Sequence, residues 1–308
     1  MENVAFVFPG QGSQALGMLA ELAAVQPIVG QTFAEASEVL GYDLWALVQD
    51  GPVETLNETD KTQPALLAAS VAIWRAYVAS GKAMPAMLAG HSLGEYSALV
   101  CAGVIDFKDA IKLVELRGQL MQQAVPAGTG AMYAIIGLDN DGIANACIEA
   151  AQGEVVSPVN FNSPGQVVIA GQKDAVERAA AACKAAGAKM AVALPVSVPS
   201  HCALMKPAAD KLALALNDVQ FNAPSITVIN NVDVASPTVV ADIKDALVRQ
   251  LYCPVRWSET VELMAEKGIT QLVECGPGKV LTGLAKRINK SLSAQAVNDV
   301  ASLAALTE

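Results

Sequence analysis

The sequence predicts an α/β fold, with a mainly parallel sheet in a large domain and a smaller domain inserted into it. Strand-like apolar runs alternate with helical periodicity in both terminal parts of the 308-residue chain, which favours a parallel sheet with helices on its faces. Hydrophobic residues make up 53% and charged residues 16% of the chain, a composition that argues against disorder. A middle segment with a different order of elements indicates the insertion.

The first 126 residues supply the start of the large domain. The predicted elements are strands over residues 4–8 and 86–89, and helices within 16–47, over 65–79, from 95 and from 106. Pro64 is expected near the first turn of the helix over 65–79. Asp106 is expected to cap the helix that follows it, in which Leu113, Leu116 and Leu120 recur at helical spacing.

The middle segment predicts a ferredoxin-like subdomain over residues 127–195, so that residues 1–126 and 196–308 form one discontinuous catalytic domain. Its order is β-α-β-β-α-β, with strands over 131–137, 155–159, 166–170 and 189–194 and helices over 140–151 and 174–186. The turn-rich residues 162–165 join the second and third strands as an antiparallel hairpin. The alternative is that these elements continue the main sheet, which the hairpin disfavours.

The large domain resumes after Pro195. We expect strands over residues 224–229 and 272–274 and a helix over 242–251. The glycine-rich turn at Cys275–Lys279 resembles a phosphate-cradling loop. It lacks the full spacing of a P-loop or a dinucleotide-binding motif, and so we interpret it as a turn near a site.

Charge and cysteine usage exclude several function classes. The formal net charge of −10 argues against nonspecific nucleic-acid binding. Six scattered cysteines without a C-x-x-C pair, and only two histidines, argue against a metal site. The first residues lack the basic region of a signal peptide, and no apolar run approaches the ~18 residues of a membrane helix. We therefore expect a cytoplasmic protein with reduced thiols.

The pentapeptide Gly90–Gly94, with the sequence G-H-S-L-G, is the most informative motif. A strand precedes it and a helix follows it, which is the context of a nucleophile elbow. The glycines permit a crowded turn, and Ser92 is exposed at its tip next to unpaired amides of a helix N-terminus. The alternative is a chance match in which Ser92 only caps the helix.

A nucleophilic serine requires a base, and the chain offers His91 and His201. His91 adjoins Ser92, and its side chain should project elsewhere from so tight a turn. His201 would reach Ser92 through folding, unless it is a histidine without a catalytic role. A third group should orient the imidazole. Because the sequence shows no evident acidic partner near His201, a backbone carbonyl or an amide side chain is the candidate for orienting the imidazole.

Three further residues are candidates for substrate contacts. The amides of Gln11 and Leu93 have the positions of an oxyanion hole, one in a strand-end loop and one directly after the nucleophile. The alternative for residues 10–14 is an ordinary turn. Arg117, in an otherwise apolar helix, suits bidentate binding of a substrate carboxylate. The alternatives for Arg117 are exposure to solvent or a surface ion pair with Glu115, Asp109 or Asp106.

Taken together, seven ordered motifs resemble those of the malonyl-CoA:acyl-carrier-protein transacylases, the discrete bacterial enzymes of fatty acid synthesis. They are Phe8–Gln14, Thr62–Ala65, Gly90–Tyr96, Arg117–Gly118, Asn160–Gln166, Ser200–His201 and Glu274–Leu281. The resemblance covers essentially the whole chain. It implies an α/β-hydrolase-like large domain with an inserted ferredoxin-like subdomain and an active site between the two.

The resemblance also implies roles for individual residues. Ser92 would be the nucleophile and His201 the general base, oriented by the main-chain carbonyl of Gln250. The amides of Gln11 and Leu93 would form the oxyanion hole. Arg117 would bind the malonyl carboxylate, and Gln63 would line the pocket. Leucine at position 93 is associated with malonyl rather than methylmalonyl in related polyketide acyltransferases.

The implied partners are malonyl-CoA and an acyl carrier protein, in a ping-pong transfer through a malonyl-serine ester. No cofactor would be bound by the enzyme itself: the coenzyme A thioester is the substrate, and the partner carries the phosphopantetheine. Carrier proteins are acidic, so docking requires a local basic patch. Lys286 and Arg287 are the first candidates, and the others are Lys290, Lys184, Lys189 and Lys206. A serine thioesterase or other hydrolase is the main alternative function, and a non-catalytic binding module is a second.

Overall fold

The fold was obtained as a computed structural model that describes residues 1–196 and 198–307. Its strands are β1 (Val4–Phe8), β2 (Met87–Gly90), β3 (Gly130–Ile136), β4 (Val156–Ser163), β5 (Gln166–Gln172), β6 (Met190–Ala193), β7 (Thr227–Ile229), β8 (Gln271–Cys275) and β9 (Ser293–Val297). They form two separate sheets, one of five strands and one of four.

Helices cover both sheets. They are α1 (Ala20–Val25), α2 (Pro27–Leu40), α3 (Leu44–Asp50), α4 (Val53–Leu56), α5 (Thr59–Ala79), α6 (Gly94–Cys101), α7 (Phe107–Ala124), α8 (Asn140–Ala151), α9 (Lys173–Ala185), α10 (Lys206–Asn217), α11 (Val240–Gln250), α12 (Trp257–Glu266), α13 (Val280–Ile288) and α14 (Val300–Thr307). A 3-10 turn over Ala203–Met205 precedes α10.

The larger sheet has the strand order β7-β2-β1-β8-β9, and all of its pairings are parallel. The central strand β1 is buried along its whole length, as expected when helices cover both faces of a parallel sheet. Because the strands are parallel, their carboxyl ends share one edge. Functional loops concentrate at that edge in open α/β sheets, and the elbow after β2 lies there.

The smaller sheet is antiparallel and has the order β4-β5-β3-β6. Helices α8 and α9 pack on one of its faces around a separate core that includes Ile135, Ile143 and Val176. The predicted ferredoxin-like arrangement is therefore confirmed. The sheet spans residues 130–193, inside the predicted interval 127–195, although the domain boundaries themselves stay a prediction. Met132 and Val159 on its other face pack against Cys202, beside His201.

Several predicted boundaries were wrong. Helix α5 begins at Thr59, so Pro64 lies inside it rather than near its first turn. The strand expected over 224–229 is confined to Thr227–Ile229, because the amide of Ser225 donates to Ala102 O instead of to a strand. The predicted helical region 16–47 is divided into α1, α2 and the start of α3. No element was predicted for α4, α10, α12, α14 or β9.

The hairpin of the small sheet also differs from the prediction in a way that affects the site. Strand β4 continues to Ser163, through register shifts at Pro158/Asn160 and Phe161/Ser163. The turn is therefore reduced to residues 164–165. Asn160 and Asn162 consequently belong to a strand, which brings both of them towards the loops of the large sheet. By contrast, the predicted cap of α7 is present, since Asp106 Oδ1 accepts a hydrogen bond from the amide of Lys108 at 2.9 Å.

Candidate active site

Ser92 lies at the tip of the turn between β2 and α6. Its φ of 52° is left-handed, a strained conformation for a residue with a side chain. Both flanking glycines are required by close packing. A Cβ on Gly90 would lie 1.8 Å from the carbonyl carbon of Gly94, and a Cβ on Gly94 would lie 2.1 Å from Phe8 O. The sequence thus forces the serine hydroxyl outward, away from the crowded turn.

The Ser92 hydroxyl is hydrogen-bonded to His201, with 2.8 Å between Oγ and Nε2. On the other side of the ring, Nδ1 lies 2.6 Å from the main-chain oxygen of Gln250. Because a carbonyl oxygen only accepts, Nδ1 carries the proton and Nε2 is free to accept from Ser92. Burial, together with the charge of Arg117, lowers the pKa of His201 to about 3. The imidazole is therefore neutral at physiological pH.

Arg117 of α7 is 1% exposed and points into the site. Its Nη1 donates to Gln63 Oε1 at 2.7 Å, and its Nη2 donates to Gln250 Oε1 at 2.9 Å and to Ser92 Oγ at 3.3 Å. Its Nε is buried without a hydrogen-bond partner in the described residues. The alternative of a surface ion pair does not fit, since Glu115 pairs with Lys61 instead.

The guanidinium of Arg117 has no carboxylate within ion-pair distance in residues 1–196 and 198–307. A buried charge without a counter-ion is costly. The arrangement is therefore suited to receiving an anion next to the serine hydroxyl.

Two main-chain amides remain available near Ser92. Within the described part of the chain, neither the amide of Gln11 nor that of Leu93 donates a hydrogen bond. The amide of Ser92 itself is occupied, because it donates to Asn231 Oδ1 at 2.8 Å. Gln11 and Leu93 belong to loops at the carboxyl ends of β1 and β2, which are neighbours in the sheet.

These residues surround a cavity of about 400 Å³, which is within the usual size of a small-molecule site. Ser92, His201, Arg117, Gln11 and Leu93 line it, together with Met132 and Asn160 of the small sheet and Leu194–Val196. The cavity thus lies between the two sheets. Gln63, expected in the pocket wall, is instead 1% exposed and contacts the far side of the Arg117 guanidinium.

His91 has a different environment from His201. Its Nε2 lies 2.8 Å from Asn162 Oδ1 of β4, and its ring lies 5.7 Å from that of Trp257. Burial lowers the pKa of His91. His91 therefore links the elbow to the small sheet and does not contact the serine hydroxyl, as the tight turn suggested.

Two polar residues of the site escaped the sequence analysis. Glu95, in the first turn of α6, is 2% exposed, and Asn231 is fully buried. Asn231 also donates through Nδ2 to Gly90 O at 2.7 Å, so it holds the elbow at two points. Its position, two residues after the end of the apolar strand β7, which pairs with β2, was the available signal.

The glycine-rich turn after β8 supports the site loops without lining the cavity. A Cβ on Gly276 would lie 2.5 Å from the ring of Pro9, so the turn packs against the loop that carries Gln11. The carboxylate of Glu274 accepts hydrogen bonds from the amides of Leu281 and Thr282 at 3.1 and 2.7 Å. It therefore caps α13.

Two searches of the described residues gave negative findings. No helix is both long and apolar enough to span a bilayer. In the same residues, His, Cys, Asp and Glu side chains form no group of three or more that could hold a metal ion.

Comparison with known proteins identifies close relatives. The sequence model described as the acyl transferase domain matches residues 5–307. The malonyl CoA-acyl carrier protein transacylases of Salmonella typhimurium and Escherichia coli K12 are each 68% identical, with full coverage of both chains. The acyl carrier protein S-malonyltransferase of Vibrio cholerae superposes with a TM-score of 0.97 at 75% identity, over 99% of each chain. A malonyl-transacylase solved in complex with a type II PKS acyl-carrier protein superposes with a TM-score of 0.98 at 70% identity, over 98% of each chain.

Proposed function

The chain belongs to the acyl transferase domain family, and we propose that it transfers a malonyl group from coenzyme A to the phosphopantetheine thiol of an acyl carrier protein. The donor and acceptor follow from the relatives' names and from the relative solved with a carrier protein. The observation that carries the proposal is the unpaired Arg117 guanidinium, 3.3 Å from the Ser92 hydroxyl. In a malonyl thioester, one methylene group separates the carboxylate from the thioester carbonyl. Arg117 therefore holds the carboxylate while Ser92 attacks the carbonyl carbon.

In the first half-reaction, His201 Nε2 takes the proton of Ser92 as Oγ attacks the thioester carbonyl carbon. The amides of Gln11 and Leu93 hold the resulting oxyanion, and each such donor typically contributes about 3–4 kcal/mol. The C–S bond then breaks, and the coenzyme A sulfur leaves with the proton from His201. Arg117 holds the malonyl carboxylate throughout.

The second half-reaction runs in the opposite sense. His201 takes the proton of the carrier-protein thiol, whose sulfur attacks the malonyl-serine ester. The C–O bond breaks, and Ser92 regains its proton from His201. Gln250 keeps the imidazole in the required tautomer through its main-chain oxygen, in the place that a carboxylate has in a Ser-His-Asp triad. Gln63 holds the other side of Arg117.

A serine hydrolase remains the alternative function, because the same serine and histidine would serve water as the acceptor. The two functions differ in the fate of the acyl-enzyme. A transferase must protect the acyl-serine ester from hydrolysis until a thiol arrives, whereas a thioesterase hydrolyses it at once.

The test is to mix the protein with malonyl-CoA, determine its intact mass, and then add holo-carrier protein. We expect one malonyl adduct that persists in buffer and disappears when malonyl-carrier protein forms. The Ser92→Ala variant should form no adduct. An adduct on another residue would refute the serine assignment, and rapid loss to free malonate would favour the hydrolase.

Location and carrier docking are further parts of the proposal. All six cysteines, which lie in the described part of the chain, are free thiols, and this supports a reducing cytoplasmic location. Lys286 and Arg287, in the last turn of α13, are exposed and would contact the acidic carrier. Arg287 also donates to Gln166 Oε1 of the small sheet at 2.9 Å, so this patch adjoins the junction of the two sheets.

A further inference from the structure

Glu95 is a buried carboxylate directly beneath the elbow, and the proposed mechanism gives it no task. Its Oε2 accepts two hydrogen bonds, from Gln250 Nε2 at 2.8 Å and from the amide of Asn231 at 2.9 Å. Both donors belong to residues that hold the reacting groups: Gln250 contacts His201, and Asn231 contacts Ser92. Glu95 is therefore linked to Ser92 through Asn231 and to His201 through Gln250.

The side chain of Gln250 connects Glu95 to Arg117. Its Oε1 accepts from Arg117 Nη2 at 2.9 Å, and its Nε2 donates to Glu95 Oε2 and, at 3.1 Å, to Ser92 O. An arginine only donates, and a carboxylate or carbonyl oxygen accepts, so these partners fix the orientation of the amide. The main-chain oxygen of the same residue accepts from His201 Nδ1, so Glu95 holds the residue that orients the base.

The arrangement also places a negative charge near a positive one. Arg117 has no direct carboxylate partner in the described residues, and Glu95 lies on the opposite side of the Gln250 amide. The other charged or titratable groups that act on Glu95 are Asp233, after β7, and the neighbouring Tyr96. Burial raises the pKa of Glu95 to about 7, against the lowering effects of its hydrogen bonds and of Arg117.

We propose that Glu95 is a positioning residue for acyl transfer, whose ionised form holds Gln250 so that His201 and Arg117 keep their working geometry. This inference rests on the proposed function. Protonation of Glu95 weakens its hold on the Gln250 amide and removes a negative charge that acts on Arg117 from beyond that amide. The acylation rate therefore rises with pH as Glu95 ionises.

The test compares Glu95→Gln with Glu274→Gln and the wild type. Glutamine keeps the size of the side chain and removes its charge. Glu274 is the matched control, because it is also fully buried but caps α13 away from the cavity. The measurement is the single-turnover rate of malonyl-enzyme formation with malonyl-CoA, followed by rapid quenching and intact mass from pH 5.5 to 9. Circular dichroism checks the fold of each variant.

For the wild type, we expect the limiting rate to rise through a pH near 7. For Glu95→Gln, we expect at least a tenfold lower rate at pH 8 and loss of the rise near pH 7. Glu274→Gln should keep both the rise and the wild-type rate.

A Glu95→Gln variant with the same acylation rate and pH profile as the wild type would overturn the inference. So would a wild-type rate that does not change between pH 6 and 8, a result that needs no variant to fold. A wild-type protein that forms no malonyl adduct at any pH would overturn the proposed function, and this inference with it.

Discussion

The Nη2 of Arg117 donates a hydrogen bond to the Oγ of Ser92 across 3.3 Å. The hydroxyl therefore accepts from the guanidinium and must direct its own proton elsewhere, and His201 Nε2 lies 2.8 Å away. The contact orients the nucleophile before any substrate arrives. It also means that a bound malonyl carboxylate would lie next to the oxygen that reacts.

We expect Arg117→Ala to reduce selectivity for malonyl-CoA over acetyl-CoA. Loss of charge-assisted hydrogen bonds to the carboxylate should lower kcat/KM for malonyl-CoA by about 100-fold, equivalent to about 3 kcal/mol. The value for acetyl-CoA should fall by less, since acetyl has no carboxylate and is affected only through the contact of Arg117 with the Ser92 hydroxyl. Arg117→Lys keeps a point charge but not the planar fork and should give an intermediate ratio. If Arg117→Ala still excludes acetyl-CoA, another residue selects the malonyl group.

His201→Ala should slow formation of the malonyl-enzyme by about 10²- to 10⁴-fold, the usual contribution of a general base. The rate is measured by quenched-flow and intact mass, at saturating malonyl-CoA. Thermal unfolding should show a folded protein, because among the described residues the imidazole makes two hydrogen bonds, to Ser92 and to Gln250. His91→Ala is the informative comparison: it removes the other histidine, which contacts Asn162 rather than Ser92. Unchanged acylation in His201→Ala would remove His201 as the base.

The elbow glycines should tolerate no side chain. Gly94→Ala would place a Cβ 2.1 Å from Phe8 O and so should cost about 3 kcal/mol or more of unfolding free energy, or prevent folding. Gly30, inside α2, is exposed, and apart from its own helix backbone and chain neighbours no atom of the described residues lies within 4 Å of its ideal Cβ, so Gly30→Ala should raise stability by about 0.5–1 kcal/mol. Chemical denaturation measures both. Equal effects of the two substitutions would contradict the packing argument.

Reversing the charges of Lys286 and Arg287 should raise the KM for carrier protein and leave the half-reaction with malonyl-CoA unchanged. The reason is loss of attraction to an acidic partner. Lys267→Glu is the control, since Lys267 is exposed and precedes β8, at the edge of the sheet opposite to Ser92. Steady-state kinetics with holo-carrier protein check the prediction at low and moderate salt. Unchanged carrier kinetics in the double variant would place docking elsewhere.

Much of this fold follows from local patterns. Buried strands such as β1 and β2 are short apolar runs, and the helix over Asn140–Ala151 has its boundaries as predicted. By contrast, β9 is a five-residue strand at a sheet edge that consists mostly of small residues, so its alternation of polar and apolar residues is a weak signal. Pro64 was misplaced because tertiary packing of the buried helix α5 outweighs the preference of proline for a first turn.

The reacting residues were easier to predict than those that hold them. Ser92 has a motif, and His201 was the remaining histidine. Asn231 lies in none of the motifs, and Glu95 lies in one that indicates no role for it, because their roles depend on a contact between residues 136 positions apart. The pairing of His91 with Asn162 likewise required the register of β4, which the sequence did not reveal.

Two buried titratable groups of the site, His201 and Glu95, affect in opposite directions how folding stability responds to acid. His201 has a pKa of about 3 in the folded chain against 6.5 ordinarily, and Glu95 has about 7 against 4.5. For His201, the unfolded chain binds the extra proton between these values, so stability rises with pH. For Glu95, the folded chain binds it, so stability falls with pH.

Between about pH 4.5 and 6.5 the two slopes have opposite signs and nearly equal size, about 1.4 kcal/mol per pH unit each. Within this window, unfolding moves a proton from Glu95 to His201, so these two contributions oppose each other, while the lowered pKa of the buried His91 adds to the histidine side. Below this window the histidine contribution is uncompensated and stability falls. Above it, until the Glu95 proton is lost, the glutamate contribution is uncompensated.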